Sequence, residues 1–300
     1  MSDAHLSSRD DPSPGRIGAV IVTYHPDGSF ADRVAAIAAQ VDTVVIVDNT
    51  DGPLSPVLSG VDQAPSLRLV RLGTNQGIAR ALNIGLDLLA SQGATDAVTL
   101  DQDSEARPGL VTRMLAVRRS AEAALGRTVL VAPSFGPADS TGGEEGWREV
   151  DSAITSGMLV PLAVGQALGA APMDEGFFID YVDFDFCLRA RDAGYGIVQT
   201  RAVLLTHAIG RASSHRLLGR SFAPTNHAPI RRYYRYRNLV HMARRHGGRH
   251  RAWLGRELGA ICREVAKIIL FEQNRSATLR AILAGLTDGV RGRLGPRGPN

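Results

Sequence analysis

Two carboxylates end a short apolar run: residues 96–100, Asp-Ala-Val-Thr-Leu, lead directly into Asp101, Gln102 and Asp103. On an extended backbone the side chains at i and i+2 point the same way. Asp101 and Asp103 can therefore converge on one hard cation, Mg2+ or Mn2+, whose other positions are left to water and phosphate oxygens. That is the chemistry of a metal-diphosphate grip. Taken alone, the triplet serves equally as a helix cap, because Asp103 and Ser104 precede a helical pattern that begins near Pro108. More acids follow downstream. Asp180, Asp183 and Asp185 stand among Phe177, Phe178, Tyr181, Phe184 and Phe186, and a carboxylate in apolar company needs a partner or a function. His207 comes where a strand pattern gives way to a Gly- and Ser-rich stretch at residues 210–214. A lone histidine is usually structural, but one at the edge facing Asp103 could complete a metal site.

These groups can act together only if strands deliver them to one place. Residues 17–24 are an apolar run of strand length, closed by the turn-forming His25, Pro26, Asp27 and Gly28. A helical segment at residues 30–40 leads to a second buried strand, 43–49, which ends in Asp48 and Asn49. Two wholly apolar strands around a helix make a βαβ unit with a parallel sheet, so Thr23, Tyr24, Asp48 and Asn49 share its carboxyl edge with Asp101. A third strand spans 67–72, and a helix starts at Asn75, its expected N-cap, with Ile78, Leu82, Leu86 and Leu89 on one face. Gly77, Ala79 and Ala81 are small enough to let the free N–H groups of its first turn approach anionic oxygens. A cap with a tight turn accounts for Asn75 and Gly77 as well. Next come a helix at 108–125, a strand at 128–133, a polar loop at 136–146 and weakly alternating strands over 149–160 that end at Thr155, Ser156 and Gly157. A helix running to Gly194 and two strands, 196–199 and 202–205, complete the pattern. No Gly-x-Gly-x-x-Gly follows the first strand, which removes the fingerprint of a dinucleotide-dependent hydride-transfer enzyme.

The net charge of +4 conceals an asymmetry: residues 1–200 carry 14 arginines and 26 acids, residues 201–300 carry 20 basic residues and 4 acids. A basic third of this density suits phosphate-bearing ligands, anionic lipid headgroups or nucleic acid, and charge alone does not choose among them. Two cysteines form neither a disulfide framework nor a metal-ligand spacing, which fits a reducing compartment, the cytosol by default. Residues 1–16 are rich in Ser, Asp and Pro and read as a disordered leader. The uncharged stretch 153–173 is long enough to cross a bilayer but is broken by three glycines and two prolines, so a buried strand, turn and short helix is expected. Beyond Pro229 the chain is helical and basic, with Arg231, Arg232, Arg235 and Arg237 interleaved with Tyr233, Tyr234 and Tyr236. Two amphipathic helices follow, which either pack on the main domain or rest on an anionic membrane.

The motifs taken jointly are Ile21-Val22-Thr23-Tyr24, Val47-Asp48-Asn49, Asn75-Gln76-Gly77 with Asn83 and Gly85, Asp101-Gln102-Asp103, Ser156-Gly157, Val182-Asp183-Phe184-Asp185 with Cys187-Leu188-Arg189, and His207. In this order the chain resembles family 2 inverting glycosyltransferases over about residues 17–245, and looks most like the bacterial rhamnosyltransferases that use dTDP-L-rhamnose. The resemblance implies the GT-A fold, an α/β architecture with a mostly parallel sheet flanked by helices, at residues 17–227, with a basic helical extension at 228–300. It implies that Thr23, Tyr24 and Asp48 hold the nucleotide, with Asn49, Asn75, Gly77, Asp101 and Gln102 in the same donor site. Asp101 and Asp103 become the metal motif for Mg2+ or Mn2+, helped by His207, and Asp183 takes the position of the catalytic base. Where the family often has Glu-Asp, this chain has Val182-Asp183, so only the second residue carries that assignment. A saccharide or lipid-linked saccharide acceptor of cell-wall or surface polysaccharide synthesis would be met by Ser156, Gly157, Asp180, Arg231, Arg235 and Arg237. The enzyme would work in the cytoplasm or at the inner face of the plasma membrane, as a monomer or a homo-oligomer. Two other readings stand beside it: a nucleic-acid-binding protein, with arginines on phosphates and tyrosines stacked on bases, and a non-catalytic transferase-like scaffold. The first leaves the acidic sheet edge unexplained, and the transferase reading expects no nucleic acid.

Overall fold

The structure, a computed structural model, describes residues 15–61, 64–137, 145–169, 171–207, 215–217, 220–222, 228–272 and 274–298. Most of the expected leader, most of the polar loop after residue 136 and the Gly- and Ser-rich stretch after His207 lie outside the described residues.

The first half is the expected alternation: β1 (Ile17–Thr23), α1 (Phe30–Ala38), β2 (Thr43–Asp48), β3 (Leu67–Arg71), α2 (Ile78–Ser91) and β4 (Asp96–Asp101). After β4 come β5 (Ser104–Ala106), α3 (Leu110–Leu125), β6 (Val129–Gly136), β7 (Trp147–Glu149), β8 (Met158–Pro161), α4 (Ala163–Leu168), α5 (Val182–Asp192) and β9 (Gly196–His207). A small hairpin, β10 (His215–Leu217) with β11 (Arg220–Phe222), precedes α6 (Pro229–His246), α7 (Arg251–Phe271) and α8 (Arg275–Val290). The two strands read at 196–199 and 202–205 are one. β9 runs through both, and register shifts against β6 near Ser134 absorb the irregularity that looked like a break.

The main sheet has the order β3-β2-β1-β4-β8-β6-β9-β5, with β7 also on β9. β3, β2, β1, β4, β6 and β9 run one way, and β8, β5 and β7 run against them. β1 and β2 are buried along their whole length because helices cover both faces, which is why the sequence reads as unbroken Val and Ile there. Alternate residues go to opposite sides. Val20, Val22, Val45 and Val47 meet Leu82, Leu86 and Leu89 of α2, while Ala19, Ile21, Val44 and Ile46 meet Phe30, Val34 and Ile37 of α1 and the Leu110 end of α3. Each such side chain taken fully out of water contributes roughly 1.5–3 kcal/mol. α2 lies so close on β1 that a Cβ on Gly85 would fall 2.4 Å from Val20 Cγ1.

The core on the α2 side does not stop at the sheet. Tyr236, Leu239 and Met242 of α6, Trp253, Ile261 and Ile268 of α7 and Ile282 of α8 continue it. α8 can lie against α6 because a Cβ at Gly285 or Gly289 would fall 2.3 Å from the Tyr233 carbonyl or 2.7 Å from the Arg237 carbonyl. The 153–173 stretch resolves into β8, a turn and α4, as expected. Among the described residues no helix is long and apolar enough to cross a membrane.

Candidate active site

Parallel pairing aligns the strand ends that the sequence made acidic. Thr23 pairs with Asp48, and Val22 with Asp101, so β1, β2 and β4 finish together at one edge. A cleft of about 580 Å³ opens there, lined by Thr23, Tyr24, Asn49, Asn75, Gly77, Asp101, Gln102, Asp103, Ser156, Asp180, Asp183 and Arg231. These twelve residues, from seven separate segments of the chain, therefore meet less by local sequence than by strand register.

The two carboxylates of the triplet both face this cleft, but not by the alternation of an extended strand. β4 ends at Asp101, and Gln102 and Asp103 turn into β5. The turn is pinned from two sides. The Asp101 N–H donates to Ser156 Oγ at 3.1 Å, and Ser156 and Ser104 share a hydroxyl hydrogen bond of 2.8 Å. The Gln102 side-chain amide pairs with the backbone of Tyr24 like a missing peptide group, accepting from its N–H at 2.7 Å and donating to its carbonyl at 3.0 Å. Asp103 and Ser104 cap no helix, which removes the capping alternative: α3 starts later, behind Gly109 in the left-handed region. The β5–β9 ladder sets His207 opposite Ser104, next to Asp103 in the chain; the His207 side chain lies outside the described residues.

Several expected contacts turn out to be supports. Asp48 is fully buried and does not line the cleft. Its Oδ1 takes the Thr23 hydroxyl at 3.2 Å and the Thr50 N–H at 3.1 Å, tying the ends of β1 and β2, and its Oδ2 is buried with no partner among the described residues. Asn75 is not the N-cap of α2, which begins at Ile78 after Gly77. Asn75 Oδ1 instead accepts from Gly77 N–H at 3.1 Å and from Asn49 Nδ2 at 3.0 Å. The first helical N–H, from Ile78, is already taken by the Phe178 carbonyl at 2.8 Å, so the expectation of open amides for an anion fails at that position. Gly157 does not reach the cleft either. With φ of 76° and a Cβ that would fall 2.6 Å from Pro133 Cγ, it serves close packing behind Ser156.

The three acids downstream separate by environment. Asp185 is completely buried, where burial alone would raise its pKa, but hydrogen bonds and charge from His246 at 2.9 Å, Arg189 at 2.7 Å and Arg245 at 2.8 Å outweigh that and hold it below the ordinary range. Asp180 is 13% exposed and meets Arg231 at 3.3 Å, and its Oδ2 is buried with no partner among the described residues. Asp183 sits in the first turn of α5, accepting from the Phe184 N–H at 3.0 Å and facing the cleft. Burial raises its pKa to about 7, with the negative charges of Asp101 and Asp180 adding to the rise. A carboxylate poised near neutrality and open to a cleft can take a proton from a hydroxyl.

The basic helix is turned mostly inward. Arg231 lines the cleft, but Arg235 pairs with Glu257 at 3.1 Å and Glu264 at 3.2 Å, and Arg237 is 1% exposed with its guanidinium on the Gly176, Phe177 and Gly295 carbonyls. Neither Arg235 nor Arg237 lines the cleft, and inward partners hold both, so the structure does not bring them to the acceptor side as expected. Tyr233, Tyr234 and Tyr236 are buried as well, which leaves no aromatic ring for base stacking and removes the nucleic-acid reading of this helix. Sequence reasoning passed over Phe178, Ile179, Ile154 and Thr155, which also line the cleft. Their only signal was nearness to Asp180 and Ser156.

Comparison with known proteins agrees with this arrangement. Residues 19–137 match the profile of Glycosyl transferase family 2. The dTDP-rhamnosyl transferase RfbF of Shigella flexneri is 30% identical over 297 residues, covering 93% of this chain and 97% of that protein. Among solved structures, the mannosyltransferase PcManGT from Pyrobaculum calidifontis, in complex with GDP-Man and Mn2+, superposes with a TM-score of 0.55 at 16% identity over 93% of this chain and 88% of its own. S. aureus TarS 1-349 gives a TM-score of 0.55 at 11% identity, over 92% and 81%. The two structures share the fold, as the GT-A expectation required, and the near full-length relative carries the classification: this chain belongs to glycosyl transferase family 2 and is a glycosyltransferase.

Proposed function

We propose that the enzyme transfers L-rhamnose from dTDP-L-rhamnose, with inversion, to a hydroxyl of a saccharide or lipid-linked saccharide in cell-wall or surface polysaccharide synthesis. One observation carries the mechanism: the half-buried Asp183 carboxyl, its pKa raised to about 7, shares a cleft with Asp101 and Asp103. The donor assignment draws on the relative named as a dTDP-rhamnosyl transferase, which matches over almost the whole chain.

An alcohol is a poor nucleophile at neutral pH. Asp183, as carboxylate, accepts the hydroxyl proton while the oxygen forms its bond to the anomeric carbon and the bond from that carbon to the diphosphate oxygen breaks on the opposite face. dTDP leaves, and the configuration inverts in a single step without a covalent enzyme intermediate. Asp101 and Asp103 offer the all-oxygen donor set that Mg2+ or Mn2+ takes, and either ion, when bound, would neutralise diphosphate charge as the sugar departs. Thr23, the exposed Tyr24 and the Asn49–Asn75 pair form the nucleoside side of the cleft; Asp180 and Arg231 form the acceptor side. Asp180 Oδ2, with no partner among the described residues, is suited to receive an acceptor hydroxyl.

Residues 17–227 would be the catalytic unit and 228–300 a helical appendage that meets the inner face of an anionic membrane. Leu270 and Leu283 are 69% and 64% exposed on α7 and α8, and Arg263, Arg275 and Arg280 of the same helices are exposed as well. The test is to incubate the full chain with dTDP-L-rhamnose, UDP-sugars and GDP-mannose and follow donor hydrolysis with Mg2+, Mn2+ or chelator. The expected result is fastest turnover of dTDP-L-rhamnose and its loss in chelator. Faster turnover of another nucleotide sugar would overturn the donor.

A further inference from the structure

The segment that leads into Asp183 has a backbone that L-residues rarely adopt. Phe178, Asp180 and Tyr181 have φ of 64°, 61° and 66°. Phe178, with ψ of −61°, is the middle of a three-residue turn closed by the Ile179 N–H on the Phe177 carbonyl at 2.7 Å. Each such residue costs of the order of 1–3 kcal/mol and persists only where its surroundings over-determine it.

Two neighbouring side chains of α6 supply that determination. Asn238, completely buried, presents Nδ2 to the carbonyls of Phe177, Ile179 and Asp180 at 2.9, 2.8 and 2.9 Å. Three carbonyls from a four-residue span can meet one nitrogen only where the chain doubles back, as it does at Phe178. Arg237 sets the Nη2 of its guanidinium on the Gly176 and Phe177 carbonyls at 3.1 and 3.0 Å, while its Nε donates to Asn238 Oδ1 at 3.0 Å. That last bond fixes which end of the amide faces the segment. From the opposite side, Ile78 N–H holds the Phe178 carbonyl, and Gly77 is required because a Cβ there would fall 2.7 Å from that oxygen. A buried amide and a buried guanidinium need a full set of acceptors, and here the strained backbone is that set.

We propose that Arg237 and Asn238 are positioning residues of the transfer reaction: they hold residues 176–181 in the conformation that sets Asp180 and Asp183 in the cleft with Asp101 and Asp103. The proposal rests on the reading of Asp183 as the base. Neither Arg237 nor Asn238 lines the cleft, so they act through the backbone they grip. A purely structural role, fastening α6 to the domain, would lower stability and leave turnover of the folded protein alone.

Asn238→Ala in the full chain separates the two, with Arg244→Ala as a matched control. Arg244 donates to the Gly289 and Val290 carbonyls, both at 2.9 Å, and so joins α6 to α8 without touching residues 176–181. Asn238→Ala should lower kcat by about 100-fold, the loss typical of an ångström-scale misplacement, with dTDP affinity within about threefold of the parent. Arg244→Ala should lose melting temperature and keep kcat within about twofold. If Asn238→Ala does not fold, Asn238→Gln retains a buried amide but pushes the segment by one methylene, and should lose about tenfold in kcat. Asp183→Asn, assayed alongside, distinguishes the failures: parent-like turnover of that variant sinks the base reading itself. If Asp183→Asn is inactive while a folded Asn238 variant keeps kcat within about twofold, only the positioning proposal falls.

Discussion

The pH dependence of transfer offers a strict test of Asp183. Its carboxyl titrates near 7, chiefly because it is buried and also because Asp101 and Asp180 face it. If it must be ionised to accept the acceptor's proton, only about a tenth of the enzyme is competent one pH unit below that value. The acid limb of kcat/KM should therefore fall about tenfold per unit below about pH 7. A cation held by Asp101 removes one of the two repelling charges, so the limb should move to lower pH as Mg2+ is raised. Asp183→Asn keeps the shape and abolishes the limb, at a loss of about two to four orders of magnitude in rate. Stability gives an independent reading with the opposite sign. An acid whose folded pKa is raised penalises the native state as pH climbs from the unfolded value near 4 through about 7, by up to about 4 kcal/mol above that window. Asp183→Asn should thus be more stable than the parent at pH 8 and no more stable at pH 4, as measured by urea denaturation. Initial rates across pH 5–9 showing no limb between 5 and 8, or a parent-like rate for Asp183→Asn, would refute the assignment.

Asp103→Ala should abolish donor turnover without changing the circular dichroism spectrum, and full activity of that variant or of the parent in chelator would remove the metal site. Arg231→Ala should raise the acceptor KM several-fold with the donor KM unchanged, and by unmasking Asp180 it should push the acid limb upward; a change confined to the donor KM would place Arg231 on the wrong side of the cleft. In flotation assays the chain should bind anionic vesicles, lose them at 0.5 M salt and bind less after Leu270→Ser with Leu283→Ser. Equal binding to neutral and anionic vesicles, or none to either, would leave the C-terminal helices as packing elements alone.

The sheet was legible because a strand buried on both faces must be mostly apolar, and β1, β2 and β4 are so between their polar ends, with Thr99 the exception. Where such strands stop, their polar ends share an edge, so the sequence pattern alone places Thr23, Asn49 and Asp101 together. What the pattern could not separate was contact from support. Asp48 and Gln102 carry the same signal as Asp101, yet Asp48 is buried behind the cleft lining and Gln102, at the cleft, spends its amide on the Tyr24 backbone, and this depends on a side chain's reach of a few ångströms. The N-cap of α2 was misplaced by two residues because Asn75 is a good cap by type, while the helix is actually entered through Gly77 at φ of 87° to make room for Phe178. That steric reason lies 101 positions away in the chain, from Gly77 to Phe178, and no local pattern contains it.

The basic third of the chain shows the same limit with charge. Counting gives 20 cations and 4 acids after residue 200, which suggests a surface. The four acids, however, all turn toward α6: Glu257 to Arg235, Glu264 to Arg232 and Arg235, Glu272 to Arg232, and Asp288 to the Tyr233 hydroxyl. An arginine in this helix is stable at low exposure only with such partners or with backbone carbonyls, as Arg237 has, so the acids that the composition makes scarce are drawn inside. The consequence runs outward as well. With the acids of α7 and α8 paired toward α6, the exposed residues of those helices include Arg263, Arg275 and Arg280 together with Leu270 and Leu283. The inward network that draws Arg235 and Arg237 away from the cleft thus uses the few acids of this region and leaves exposed arginines on α7 and α8.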